Sequence, residues 1–411
     1  MGVFYKGEEI GFIVDSPAKG TLEITENGEY DVSTKAKVVV DVDLGDDTPL
    51  TITLPNEFTS ANYIYNFQLD SNTLLFSSNQ TNIGVWVYSI NNDTWESIPT
   101  GVAAGSNHYW TNFYKVGNDC LISNSQYSYT GVLLYESDTK TIRQIYSSGY
   151  QWNRFQDVKD GCLIGTSGTA VSGFLLYNSI DKSISKIYSD RFYQPVFQVV
   201  GDNCLIGSNS NNQTENRGVL LYNGTTKTLS KKYSLGLRWQ YFQVVTGGCL
   251  ISNDSNSSSE DFVGILFYDS NTNTITKKYN DGQDHQYFHN FGEDCLFSSS
   301  YSSSGGVYLY EASSKTIERI YTSFTKFDCF LDVGNDCLIS STNTLGLLVY
   351  NSTNKTIESI YGYGYSYDIA EFGIDGNYYI SSSNITKTPQ VLMYNPIDKS
   401  IKLVKYKIDI K

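Results

Sequence analysis

The chain has 411 residues, with 29 Lys and Arg against 43 Asp and Glu, a formal charge of −14. So acidic a surface repels phosphate and speaks against a nucleic-acid partner, and no apolar run reaches the ~20 residues that span a bilayer. Charged residues are only 18% and aromatic residues 14%, a balance expected of a packed chain rather than a disordered one.

The opening, MGVFYKGEEIGFIVD, lacks the basic start and unbroken apolar stretch of a secretory signal, so export is not expected. Residues 1–58 read as a small β-rich segment: VFYKGEEIGFIV, GTLEITENGEYDVS and KAKVVVDVDL, with LTITLP leading on. Asn27-Gly28 predicts a tight hairpin turn.

From residue 59 to 411 the sequence repeats. A phrase built as Cys-Leu-Ile/Phe-Ser/Gly places Cys at 120, 162, 204, 249, 295 and 337, and Leu74 and Tyr378 take the same slot at the two ends. The gaps of 46, 42, 42, 45, 46, 42 and 41 give eight copies of a unit of about 42 residues. A Tyr closing an apolar run at 88, 135, 177, 222, 268, 310, 350 and 394 confirms the count. Each unit divides into four short strands, A to D. In the fourth copy A is PVFQVV, B is CLIGS, C is VLLYN and D is KTLSKKY. B and C are apolar on consecutive residues, the pattern of a sheet covered on both faces. Eight such four-stranded units predict an all-β, eight-bladed β-propeller carrying the small N-terminal β segment.

The cysteines occupy one slot in successive blades. Neighbouring sheets pack ~10 Å apart and a disulfide needs Cα atoms within ~7 Å, so these six are expected as free, buried thiols, as in a reducing cytosol. No CxxC pair and no neighbouring His suggests zinc. His108, His285 and His289 stand in different blades without a motif and read as exposed loop residues. DSNTNT (269–274) and NDGQD (280–284) are rich in Ca²⁺-type oxygen ligands but lack a full loop spacing. No cofactor, metal site or catalytic residue is expected, and the chain reads as non-enzymatic.

Among the connections, those from B to C and from D to the next A vary most between copies, and loops of one face carry binding in repeat scaffolds. The D-to-A connections are unusually aromatic: SNHYWTNF (106–113), SSGYQWNRF (147–155), SDRFYQPVF (189–197), SLGLRWQYF (234–242) and NDGQDHQYF (280–288). Rings that stack on sugar faces beside hydrogen-bonding side chains suit a glycan or a protein epitope. Trp110, Tyr150, Trp152, Arg154, Arg191, Tyr193, Arg238 and Trp239 are therefore the candidate binding residues. The competing reading has the rings filling the wedge between blades; Phe155, Phe197, Phe242 and Phe288 fit it best, and for the Trp and Arg residues the two readings are even.

The unit resembles the superfamily that includes kelch-like and two-component-regulator-type propellers, over residues ~60 to 405. That resemblance implies the fold and leaves activity open. The stretch ITENGEYDVSTKAKVVVDVDL resembles a module common in bacteriophage structural proteins. It implies a virion protein of the tail, baseplate or decoration, assembled in the bacterial host cytoplasm. Residues 1–58 would then grip other virion proteins, and the propeller would bind a host-surface glycan or protein. No long trimeric stalk is visible, which sets a baseplate or decoration role level with a fibre tip. A purely architectural virion protein and a propeller glycosidase or lyase are the alternatives, and a homo-oligomer is left open.

Overall fold

The computed structural model describes residues 3–5, 8–10, 20–24, 28–31, 36–40, 50–60, 63–78, 84–100, 110–124, 131–148, 151–166, 173–192, 194–210, 218–236, 238–254, 264–299, 305–323, 326–341, 346–361, 367–372, 376–382 and 391–404. All eight expected blades are present among them, each a sheet whose strands follow in the order A-B-C-D. The chain is an eight-bladed β-propeller by this count, and it divides into two compact units, residues 1–195 and 196–411. Among the described residues no helix is long and apolar enough to cross a membrane.

In the fourth blade A runs Pro195–Val200, B Asn203–Ser208, C Val219–Asn223 and D Thr228–Tyr233, within a residue or two of the sequence expectation. B and C are buried on nearly every residue, whereas D is exposed apart from half-buried Leu229 and Tyr233. The sequence pattern follows from this: a strand covered on both faces has no reason to alternate. All seven cysteines are free, with six buried and Cys329 half-buried.

The C-to-D turns have a feature that the sequence reading overlooked. The residue just before strand D is left-handed in every blade: Asp93, Lys140, Lys182, Lys227, Asn273, Lys315, Lys355 and Lys399, with φ between 49° and 57°. This geometry costs a non-glycine residue ~1 kcal/mol or more, and in five blades contacts to the preceding blade offset it. Lys182 Nζ reaches Asp119 at 2.7 Å, Lys315 reaches Asp269 at 2.5 Å, and Lys399 reaches Asp336 at 2.6 Å. In blade 5 Asn273 accepts instead from Asn203 Nδ2 at 2.8 Å.

The N-terminal segment differs from expectation. Strand β1 (Val3–Tyr5) does pair with β2 (Glu8–Ile10) as a hairpin. However, β3 (Gly20–Ile24) pairs in parallel with β5 (Ala36–Val40), which pairs with β6 (Leu50–Thr53). The strand between them, β4 (Gly28–Asp31), instead joins strand A of blade 1 (Tyr63–Asp70) as a fifth strand. The expected hairpin at Gly28 is thus not made by β3 and β4, and Asn27 lies outside the described residues. The segment packs on blade 1: Ile52 and Phe58 are buried with Ile64, Leu74 and Phe76, and Trp95 Nε1 donates to the Thr53 carbonyl at 3.0 Å.

Candidate functional site

The three candidate tryptophans lie inside the protein. Trp110, Trp152 and Trp239 are 2%, 1% and 0% exposed, and they belong to three separate hydrophobic clusters. Each fills the wedge at the start of a strand A, the role the sequence reading gave to the phenylalanines. Phe155 and Phe242 are only partly buried at the margins of two of these clusters, and Phe288 at the margin of a further one. Trp239 shows the construction. Its Nε1 donates to the Leu235 carbonyl at 2.9 Å, and Tyr233, the last residue of strand D, meets the ring edge-on at 5.7 Å. Gly236 lies so close over the indole that a Cβ there would be 2.8 Å from Cζ2. Leu235 and Gly236 thus cap the ring and deny its faces to a ligand.

The same device recurs. Tyr146 meets Trp152, Tyr279 meets His285 and Tyr321 meets Phe327, always a Tyr and a ring six residues later. Serine at the end of the preceding strand B ties the wedge residue down: Ser77, Ser123 and Ser298 donate to the carbonyls of Trp110, Trp152 and Phe327. His285 is therefore a wedge residue, fully buried, and not the exposed loop residue expected. Its Nε2 lies 3.2 Å from Asp281, at the same i−4 offset by which Trp239 reaches a carbonyl. Asp281 also accepts from Tyr308 at 2.7 Å. Burial acts to raise the Asp281 carboxyl, but the bonds from His285, Tyr308 and the Gln283 amide outweigh it and hold the pKa below its ordinary value. Both loops weighed for Ca²⁺ thus use their carboxylates internally; Asp269 accepts from the Asn271 and Thr272 amides and pairs with Lys315.

Of the other candidates, Arg154 and Arg191 are exposed, while Tyr150, Tyr193 and His108 lie outside the described residues. Arg238 belongs to a cluster that the sequence reading largely missed. It lies in the second unit, where strand A of blade 5 (Trp239–Val245) is followed by that of blade 6 (His285–Phe291) and blade 7 (Cys329–Val333), each touching the next. Arg238 Nη2 meets Asp254 at 2.7 Å, and Gln240 Nε2 reaches the same carboxylate at 3.4 Å. In blade 6 Gln286 Nε2 donates to Asp284 at 2.7 Å. Tyr241 lies in the field of both acids. Burial first, then the charges of Asp254 and Asp284, raise its phenol pKa. Beyond Tyr287, Lys326 lies 5.7 Å from the ring centroid and pairs with Asp328 at 3.0 Å.

The result is a continuous polar and aromatic strip across three blades. Asp254 and Asp284 are 7% and 1% exposed, while Gln240, Tyr241, Gln286, Tyr287 and Lys326 are half-buried at its surface. Buried carboxylates are costly unless bonded, and these are bonded so as to present amide, phenol and ammonium groups in a row. The Nε of Arg238 is buried with no hydrogen-bond acceptor among the described residues. The strip was findable in the sequence: its members stand one residue before and one or two after the wedge residue, a position set by the Tyr-to-ring interval of six.

No family model matches this sequence, and no curated protein matches it. Among solved structures, the chain is similar to the extracellular domain of a putative one-component system from B. thetaiotaomicron, with 11% identity over 88% of this chain and a TM-score of 0.28. It is similar also to the extracellular domain of a putative hybrid two-component system from the same organism, with 13% identity over 95% and a TM-score of 0.32. The chain spans 64% and 58% of the length of those two. It is further similar to apo AztD from Citrobacter koseri, with 8% identity, 79% of this chain and 92% of that one, and a TM-score of 0.37.

Proposed function

We propose that this chain is a non-catalytic binding propeller whose ligand, a glycan, lies along the strip from Arg238 to Asp328. The observation that carries this reading is the pair Tyr241 and Tyr287, half-exposed on adjacent blades and flanked by carboxylates already held by Arg and Gln. Phenol rings offer apolar faces to sugar rings, and Asp, Gln and Arg supply the paired donors and acceptors that hydroxyls require. The unsatisfied Arg238 Nε–H is a buried donor for such an oxygen.

The finer reading is a bacteriophage virion protein that attaches to a host-surface glycan. Its support is the resemblance of residues 24–44 to a phage structural module, with residues 1–58 contacting other virion subunits. Because β4 is a fifth strand of the blade-1 sheet and Ile52 and Phe58 pack into that blade's core, that module would hold the propeller rigidly by its first blade. A purely architectural role makes the opposite demand on the strip, which would then bind no sugar.

The test is a glycan array probed with the labelled full chain, including wall glycans of low-GC bacteria, beside a Tyr241→Ala/Tyr287→Ala variant shown to be folded. Saturable binding lost by the variant supports the proposal. Binding that the variant retains, or none by the folded wild type, contradicts it.

A further inference from the structure

A second cluster lies in the same unit, farther along the strands A of blades 6 and 7. His289 Nε2 and Asp332 Oδ1 are 2.6 Å apart, and the Cys337 thiol completes a group whose donor atoms all fall within 4.8 Å of one another. The three come from three strands: His289 from strand A of blade 6, Asp332 from strand A of blade 7, and Cys337 from strand B of blade 7 (Asp336–Ser340), where it is the register partner of Asp332. His289 stacks on Phe330 at 5.7 Å with the rings 10° from parallel, which fixes the imidazole plane. The expectation that no His neighbours the cysteines fails here because the neighbour arrives from the preceding blade, 48 residues away in sequence.

The sister blades show what is particular to this place. The slot of His289 holds Tyr114, Gln156, Gln198, Gln243 and Leu331 in blades 2, 3, 4, 5 and 7. The three glutamines turn their amides back onto the next carbonyl, at 3.1, 3.0 and 3.2 Å. Blade 6 alone offers a ring nitrogen there, and blade 7 faces it with a carboxylate where blades 4 and 5 have Val199 and Val244. Imidazole, carboxylate and thiol are together the donor set of borderline divalent cations, zinc foremost. A hard cation such as Ca²⁺ wants six to eight oxygens, which one carboxylate does not supply. The side chains of His289 and Asp332 are 26% and 55% exposed while Cys337 is fully buried. The site is therefore open on one side, where water can take a fourth position.

We propose that His289, Asp332 and Cys337 form a zinc-class cation site between blades 6 and 7. The ion takes the place of the proton now shared by His289 and Asp332. Metal–ligand bonds of ~2.0–2.3 Å at tetrahedral angles set donor atoms ~3.3–3.7 Å apart, so His289 Nε2 and Asp332 Oδ1, now 2.6 Å apart, must separate by under an ångström while the thiol draws nearer, and the exposed Asp332 has the freedom to move. On binding the thiol proton leaves to solvent, the proton between His289 and Asp332 moves to His289 Nδ1, and three metal–ligand bonds form; no electron is transferred. The site is independent of the glycan strip and stands if that reading fails.

The test is a Co²⁺ titration of the reduced, full-length protein followed by absorption. One equivalent should bind with the thiolate-to-cobalt charge-transfer band and the visible bands of a tetrahedral ion, and Zn²⁺ should displace it. His289→Ala and Cys337→Ala should abolish the band. Asp332→Asn should weaken binding at least ~10-fold, since even outer-shell partners are worth that much. Cys204→Ala, in the same slot of blade 4, should leave the band intact. Leu74 and Tyr378 occupy that slot in the end blades, so a cysteine is not needed there for folding; circular dichroism confirms the fold of each variant. Absence of a thiolate band, or a band that survives Cys337→Ala or His289→Ala, overturns the proposal.

Discussion

Replacing Trp239 by Ala separates a wedge from a binding platform. The ring is 0% exposed, is packed with Leu205, Val219 and Ile251, and donates one hydrogen bond at 2.9 Å. Truncating a buried Trp to Ala costs ~3–5 kcal/mol, and the Leu235 carbonyl loses its partner, worth ~1 kcal/mol. We expect a loss of about 4 kcal/mol for Trp239→Ala. Trp239→Phe, which keeps a ring in the slot that Phe327 fills in blade 7, should lose only ~1–2 kcal/mol. A surface ring would cost no more than ~0.5 kcal/mol. Urea unfolding followed by far-ultraviolet circular dichroism reads the difference as a shift in midpoint. A loss below ~1 kcal/mol for Trp239→Ala would refute the wedge assignment.

Other expectations follow from single contacts. Gly207→Ser should destabilise by ~1–3 kcal/mol although six sister blades have Ser in that slot, because a Cβ there would fall 1.7 Å from the Trp239 carbonyl oxygen; thermal melting measures it. Ellman's reagent should label Cys329 first and the other six cysteines only on unfolding, since those six are buried and burial pushes the Cys204 and Cys295 thiols up to about 12. The depressed pKa of Asp281 contributes stability that is present above its unfolded value of ~3.9 and is lost as pH falls through the folded value. Asp281→Asn should thus lower stability near neutrality and flatten the decline below pH ~4, as urea midpoints against pH would show.

The strands and the blade count were legible because one slot per repeat is forced by burial on both faces: Cys on B, Tyr closing C. The wedge was half legible. Its aromatic enrichment pointed to the right loops, but an aromatic residue beside Arg and Gln looks the same whether it caps a core or faces a ligand. What decides is Leu235 and Gly236 folding over the indole, a local conformation with no composition of its own. The strip could be read from the Tyr-to-ring interval of six, but the His289 cluster joins residues 43 and 48 apart on neighbouring blades, so no local spacing marks it. In the N-terminal segment, Asn27-Gly28 has the residues of a hairpin, yet β4 finds its partner in blade 1 and β3 pairs with β5. Pairing with an open sheet edge prevailed there over the local turn preference.

The central claim is that the strip holding Tyr241 and Tyr287 is the binding surface, with the buried indoles serving as scaffold. Isothermal titration of the tightest array glycan into wild type, Tyr241→Ala/Tyr287→Ala and Trp239→Phe tests it most directly. The account predicts affinity reduced at least ~100-fold in the tyrosine variant, as expected from two stacking anchors of ~1.4 kcal/mol or more each, with near wild-type affinity in Trp239→Phe. Unchanged affinity in the tyrosine variant, with binding lost in a folded Trp239→Phe, would contradict it.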